Sequence, residues 1–341
     1  VTVRILQIGV GIRGGHWAEI VRDHPDTECV GFVDPDPKGL ERARGLSGGA
    51  RGFADLDSAL AESKADAALI VSPSAFHADQ AIRVLDAGLA VMLEKPFALT
   101  VADAQRVLAK VRSTGRPLLV AENYRYRPAE RTVRKLVDDG VIGRIDSATL
   151  VDRRHMPSHT EGPWLANTEY PQLQEIAIHH FDSLRYWLAR TPTSITVRAW
   201  NPPWSDYRHG ANTEALIDLE GVRIQYLGTM LSHRFAFSLT IEGERGIIWT
   251  DRKRVFWRKT GSRFPRPVRL VKTPPGDGAK YPREGTTSLL NSLRDAVRSG
   301  KEPETNGQDN IWNVAMVEAG KRSDREGRTV RISEIYTPGR A

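Results

Sequence analysis

The chain has 341 residues, 40% of them hydrophobic and 27% charged, a composition that fits folded globular domains and favours two over one. A single cysteine, Cys29, leaves no intrachain disulfide and no cysteine-rich metal site. No apolar run nears the ~20 residues of a membrane helix, and no charged-then-apolar leader opens the chain, so the expectation is a cytoplasmic protein without a membrane partner.

From the first residues to about 120, short apolar runs alternate with amphipathic stretches, the rhythm of a parallel sheet with crossover helices. "RILQIG", "ECVGFV", "AALIVS", "AVMLE" and "PLLVAE" read as strands. "GHWAEIVRDH", "KGLERARGL", "LDSALAES", "FHADQAIRVLDAG" and "TVADAQRVLAKVRSTG" read as the intervening helices, with Gly88 as a stop and Thr100 as an N-cap. Past Glu122 the pattern changes. "QEIAIHHFDSLRYWLAR" is helical. "TEALIDLEGVRIQYLGTM" alternates about a Glu220-Gly221 turn, and "FAFSLTIEGERGIIWTDRKRVFWRK" continues as strands, together a mostly antiparallel sheet. Two further helices, "SLLNSLRDAVRSG" and "NIWNVAMVEAGKRSDREG", follow, after a segment, 273–285, that reads as the most mobile loop. The domains expected are 1–121 and 122–341.

The net charge is +7, and its basic excess lies after Glu122, densest over 251–272, where aromatics interleave. Such a run can mark a nucleic-acid surface, but no nucleic-acid motif accompanies it, and exposed strand faces account for it. No nucleic-acid partner is expected.

Gly9-x-Gly11-x-x-Gly14 follows the first strand and opens a helix. Glycines there permit a tight turn and a close backbone approach to a pyrophosphate resting on the helix N-terminus. Asp34 ends the second strand, where a carboxylate accepts the ribose hydroxyls and repels a 2′-phosphate. NAD is therefore the expected cofactor, with Lys38 and Arg42 leaving room for NADP. Ligands of such sheets bind beyond the strands' carboxyl ends, which places Ile12, Arg13, Ser72, Pro73, His77, Glu94, Lys95 and Asn123 with Gly9, Gly11, Gly14 and Asp34 as candidate cofactor contacts. No clustered ligand set for a metal is seen.

"GVGIRG", "GFVDPD", "VSPSAFHAD", "LEKPFALT", "ENYRYRP", "GVIGRI", "IHHFDSLRYWL" and the tail from Gly300 to Ile332 together resemble the glucose–fructose oxidoreductase/inositol dehydrogenase (Gfo/Idh/MocA) family. The resemblance spans essentially the whole chain. It implies a Rossmann domain followed by an α/β domain with a large open sheet, and hydride exchange between NAD(P) and a secondary carbon of a sugar, sugar acid or cyclitol. Lys95 matches the family's active-site lysine, Glu94 a residue that helps hold the cofactor, and His179 the second-domain histidine that meets the reacting hydroxyl. A homodimer or homotetramer through the second sheet is implied too.

Glu175 and His179 stand i, i+4 on the expected helix and would share one face. A carboxylate beside an imidazole orients it and raises its basicity, which suits His179 to accept a hydroxyl proton; Lys95 can polarise the same oxygen, the hydroxyl can bridge the two, and either can serve as the formal base. Tyr124, Arg125, Arg153, His155, Trp164 and Gln174 are candidate substrate contacts, able to stack on a sugar face or bond its hydroxyls. Two other functions share this fold: a glycosidase or lyase that retains NAD, and a catalytically silent NAD-binding sensor.

Overall fold

The structure, a computed structural model, describes residues 2–158, 163–278 and 280–339. Its contacts divide it into two units, 1–126 with 273–314, and 127–272 with 315–341. The expected boundary at 121 missed the return. Segment 273–314 comes back to the first unit because the apolar face of its helix, through Leu289, Leu290 and Leu293, completes a core that includes Val3, Ile5, Trp17, Leu69 and Met92. A boundary drawn along the chain cannot express that.

In the first unit, β1 (Val3–Ile8), β2 (Thr27–Val33), β3 (Arg51–Phe53), β4 (Ala67–Ile70), β5 (Ala90–Leu93) and β6 (Leu118–Val120) form one sheet in the order β3-β2-β1-β4-β5-β6. Every pairing is parallel, and β4 and β5 are buried at every position. The order reverses between β1 and β4, the switch point at which such sheets bind ligands. Helices α1 (Ile12–Asp23), α2 (Pro37–Ser47), α3 (Leu56–Glu62), α4 (His77–Asp86) and α5 (Val101–Thr114) make the crossovers. Thr100 caps α5 by accepting from Asp103 N at 3.1 Å, and Gly88, at φ +79°, follows α4, both as expected.

The second unit begins with α6 (Pro128–Asp138) and contains α7 (Pro163–Asn167) and α8 (Ile178–Leu188). Its strands are β7 (Ile145–His155), β8 (Pro192–Trp200), β9 (Asn212–Leu219), β10 (Val222–Thr229), β11 (Leu231–Gly243), β12 (Gly246–Thr250), β13 (Val255–Lys259), β14 (Arg266–Val268) and β15 (Val330–Arg331). They form a nine-stranded sheet, β14-β13-β12-β11-β7-β10-β9-β8-β15, antiparallel except where β10 runs parallel to β7. Glu220 (φ +48°) and Gly221 (φ +89°) make the two-residue β9–β10 turn with both central φ positive, matching the strands' twist. Helix α9 (Thr286–Ser299) belongs to the first unit, and α10 (Gly307–Glu326) carries the chain from the first into the second.

Among the described residues, no helix is long and apolar enough to cross a membrane.

Candidate cofactor and active-site residues

The fingerprint loop is shaped by three glycines with different surroundings. A Cβ on Gly9, whose φ is +96°, would sit 2.6 Å from Ser72 N, and one on Gly14 would sit 2.4 Å from Gly9 O. Both positions are closed by backbone. Gly11 is the opposite case: a Cβ there meets nothing within 4 Å. It stands before α1 with open space above the helix N-terminus, where backbone N–H groups favour an anion. Buried Gln7 braces the turn, its Nε2 donating to Gly9 O (3.0 Å) and Gly14 O (2.8 Å). Gln7 went unremarked in the sequence, although it is the only uncharged polar residue in that strand. Asp34 is brought to the same loop, its Oδ2 accepting from Val10 N at 2.9 Å and its Oδ1 from Asp36 N at 2.9 Å. The residues thus fit a dinucleotide: glycine closes the turn where backbones meet, leaves room where a pyrophosphate would approach, and a carboxylate stands at the end of β2. Bound there, NAD would supply a hydride acceptor or donor.

Ile12 is 80% exposed and Pro73 is exposed, both open to a ligand. Ser72 is half-buried, and its Oγ donates to Gln80 Oε1 at 2.5 Å. His77 was expected to line the cleft, but it is buried. Its ring nitrogens contact Pro96 O (2.8 Å) and Ser72 O (2.9 Å), so the imidazole ties the loops after β4 and β5 together.

Glu94 leaves β5 into a nearly closed site. Its Oε1 accepts from Arg13 Nε (2.6 Å) and Trp17 Nε1 (2.7 Å), and its Oε2 from Lys95 N (3.3 Å). Burial opposes its ionisation, but Arg13, Lys95 and the two side-chain hydrogen bonds overcome that and hold it near pKa about 2. Arg13 lies over the Trp17 ring and donates to Pro282 O at 3.1 Å. Lys95, half-buried, follows at the strand end, with a cis peptide to Pro96.

Segment 273–285, read from sequence as the most mobile loop, is anchored at its described residues; Ala279 lies outside them. Asp277 is buried and accepts from Ser288 N at 3.0 Å and from the Ser288 hydroxyl. Asn123 donates to Glu284 O (2.8 Å), Arg283 meets Asp23 (2.7 Å), and the Tyr281 ring packs edge-on against His16. Loop composition signals turns, but not the single buried aspartate that fastens this one. Tyr124 is buried, and buried Arg125 donates to Glu304 O and pairs with Asp309.

In the second unit, residues Gln172–Ala177 form a π-helix that runs directly into α8. The expected uniform α-helix is therefore widened over Glu175, and its i→i+5 bonding changes the spacing on which the face-sharing argument rested. Side chains hold the first half of the wide turn: Gln172 Nε2 donates to Tyr226 Oη (2.6 Å), and Gln174 Oε1 accepts from Lys321 Nζ (2.8 Å). Gln174 is thus committed to α10. Glu175 is half-buried, and His179, on the first turn of α8, is nearly buried.

Below α8 lies a closed polar cluster. Asp152 accepts from Arg154 Nε at 2.6 Å and stands 3.6 Å from His180 Nε2, while His180 Nδ1 meets Tyr226 Oη at 3.0 Å. Burial pushes His180 well below its ordinary pKa, so it is neutral at neutral pH. Asp152 is held below its usual range: burial opposes ionisation, but the Arg154 and Arg252 guanidiniums more than offset it. Side chains alternate along β7, so Arg153 and exposed His155 point away from the face bearing Asp152 and Arg154; His155 Nδ1 meets Ser232 O at 3.0 Å. Trp164 is 57% exposed on α7.

Among the described residues, no group of three or more His, Cys, Asp or Glu side chains could hold a metal ion.

Known proteins give these features a context. Residues 3–122 match the oxidoreductase family's NAD-binding Rossmann fold, and residues 134–332 match its C-terminal alpha/beta domain. The chain is 27% identical to a D-apiose dehydrogenase of Paraburkholderia graminis, over 96% of this chain and 89% of that protein. It is 25% identical to an inositol 2-dehydrogenase of Rhizobium meliloti, over 97% of this chain and all of that one. An Agrobacterium radiobacter oxidoreductase, solved with NAD+, L-tartaric acid and magnesium, shares its fold at TM-score 0.90 and 21% identity, covering 98% of this chain and 100% of the other. The WlbA dehydrogenase of Bordetella pertussis, solved with NADH and UDP-GlcNAcA, follows at TM-score 0.83 and 24% identity, over 97% and 99% of the two chains. At such identities the likeness of the solved structures is one of fold. With both halves matched in order, and with the glycine loop and the Glu94-Lys95-Pro96 strand end in place, the chain belongs to the Gfo/Idh/MocA oxidoreductase family.

Proposed function

We propose that this protein is an NAD-dependent dehydrogenase that moves a hydride between nicotinamide and a secondary alcohol or ketone carbon of a sugar, sugar acid or cyclitol. The observation that carries this reading is the fingerprint loop, open only at Gly11 and fastened to Asp34 through Val10 N. The carboxylate beside it favours a free ribose 2′-hydroxyl over a 2′-phosphate, hence NAD over NADP. The relatives named above as apiose and inositol dehydrogenases support the substrate class.

In this reading Lys95 and His179 handle the hydroxyl of the substrate. Both meet the oxygen and polarise it through hydrogen bonds, and one of the two takes its proton as the carbon–hydrogen bond breaks. Glu175, half-buried on the widened turn, orients or hydrogen-bonds at the same histidine or the substrate.

The test is a panel of sugars, sugar acids and inositols with NAD and NADP, followed by nicotinamide absorbance. NADH should form with at least one member and faster than NADPH. Lys95→Ala and His179→Ala should each lower turnover by about 100-fold or more, while NAD still binds by calorimetry. Full turnover in either variant would remove that residue from the mechanism. Glycoside cleavage without net NADH would replace the dehydrogenase reading.

A further inference from the structure

Glu122 follows β6 and is fully buried. Strand register explains its surroundings. Leu93 of β5 pairs with Val120 of β6, and Ala121 N donates to Leu93 O at 2.8 Å, so Glu94-Lys95 and Ala121-Glu122 leave neighbouring parallel strands side by side. The nearby charges have assigned partners. Glu94 is held by Arg13 and Trp17, and Arg125 by Asp309 and the Glu304 carbonyl. Burial raises the Glu122 carboxyl to about 7. Lys95 gives the largest opposing pull, Arg125 adds to it, and Glu94 pushes the other way. Asn310 of α10 is a neutral neighbour. A buried carboxyl that titrates near neutrality is therefore coupled most strongly to the lysine at the strand end.

We propose that Glu122 is a positioning residue for Lys95, holding its amine at the strand edge and storing the proton that Lys95 must shed before it can accept one from the substrate. This rests on the placement of Lys95 in the reaction given above, and extends it from polarising the oxygen to taking its proton. The proton balance is simple. The Lys95 ammonium passes a proton to the Glu122 carboxylate, giving an amine and a carboxylic acid without changing net charge. The amine accepts the hydroxyl proton while the electron pair of the carbon–hydrogen bond leaves as hydride to oxidised nicotinamide, and the alcohol becomes a ketone. The Lys95–Glu122 pair gains one positive charge as the nicotinamide loses one, and the pair returns its surplus proton to water when product leaves.

The first test needs no turnover. Infrared titration of the full-length protein should show a protonated-carboxyl carbonyl band that disappears near pH 7 and is absent in Glu122→Gln. Lys95→Met removes the neighbouring cation and should raise the band's midpoint by about one pH unit or more. An unmoved midpoint overturns the pairing, whatever the activity. The second test is kinetic. Glu122→Gln should lower kcat by about 100-fold, leave KM near its starting value and remove the limb of the kcat–pH profile near pH 7, while Glu122→Asp keeps that limb. A Glu122→Gln enzyme that retains the limb overturns proton storage. A shifted midpoint with a fully active Lys95→Met enzyme overturns the assignment of Lys95 in the reaction instead, and leaves the pairing standing.

Discussion

Two buried polar assemblies organise the two units, and they are built differently. In the first unit, charged groups sit where strands end: Glu94 holds Arg13 and Trp17, Lys95 follows it, and Glu122 leaves the next strand. In the second, Asp152, Arg154, His180, Gln172 and Tyr226 meet beneath a helix, supplied by β7, β10 and one helical run. The strand-end set has a lysine that remains half-exposed, whereas Asp152 and His180 are wholly enclosed. Burying charge is costly in both places and tolerable only with partners. The difference is in what the cost sustains: a strand edge with a half-exposed lysine in one unit, a fixed helix position in the other.

The sharpest way to break this contrast is at Asp152. Asp152→Ala leaves Arg154 without the buried carboxylate it donates to and should destabilise the protein by about 3–5 kcal/mol in denaturant titration. A variant as stable as the parent would show that the enclosed cluster does not fix the helix. Glu94→Gln should cost roughly 3 kcal/mol at neutral pH, from the interval between its ordinary pKa and about 2. The sign follows from the lowered folded-state pKa. Glu94's contribution is complete above its ordinary value of 4.5 and is lost as pH falls through about 2. The acid limb of the stability curve should therefore flatten in the variant, and an unchanged limb would locate acid sensitivity elsewhere. Gly11→Ala tests the ligand side alone. Space is open there, so melting should stay within about 0.5 kcal/mol of the parent, while calorimetry should show NAD binding weakened about 10-fold, or ~1.4 kcal/mol. Unaltered NAD affinity would mean that the open space above Gly11 is not where the pyrophosphate rests. The smallest effect is expected at Cys29, whose thiol is pushed up to about 12 by burial. A thiol reagent at mildly alkaline pH should label it slowly in the folded protein and rapidly after unfolding; fast labelling of the folded protein would contradict that burial.

The same contrast explains what could be read from sequence. The parallel sheet, the glycine turn, Asp34 and the Glu94-Lys95 strand end are contiguous patterns, each with a local physical cause. The β9–β10 turn was legible for the same reason: both central φ angles are positive, and Glu-Gly supplies them. The polar cluster around His180 joins positions 152, 154, 172, 180 and 226, and only strand register and helix docking bring them together. His77 was placed at the correct edge but facing the wrong way, since spacing does not reveal that two backbone carbonyls await its ring. The π-helix before His179 was hidden because its apolar spacing resembles that of an α-helix, while the bonds that hold its wide turn reach to β10 and α10.

The return of 273–314 to the first unit has a consequence for biosynthesis. Leu289, Leu290 and Leu293 share a core with residues from the first strand and first helix. A ribosome emits those early partners long before it reaches α9. Until then, a nascent chain bears an incomplete dinucleotide-binding unit with an uncovered apolar face. A fragment ending at Tyr126 is expected to bind a hydrophobic dye that the intact protein excludes, and added α9 peptide should reduce that signal; a fragment that binds no more dye than the whole protein would show that the early unit closes by itself. Completion of the fold is thus a late event in synthesis, and the first unit depends for much of that time on whatever shields exposed apolar surface in the cell.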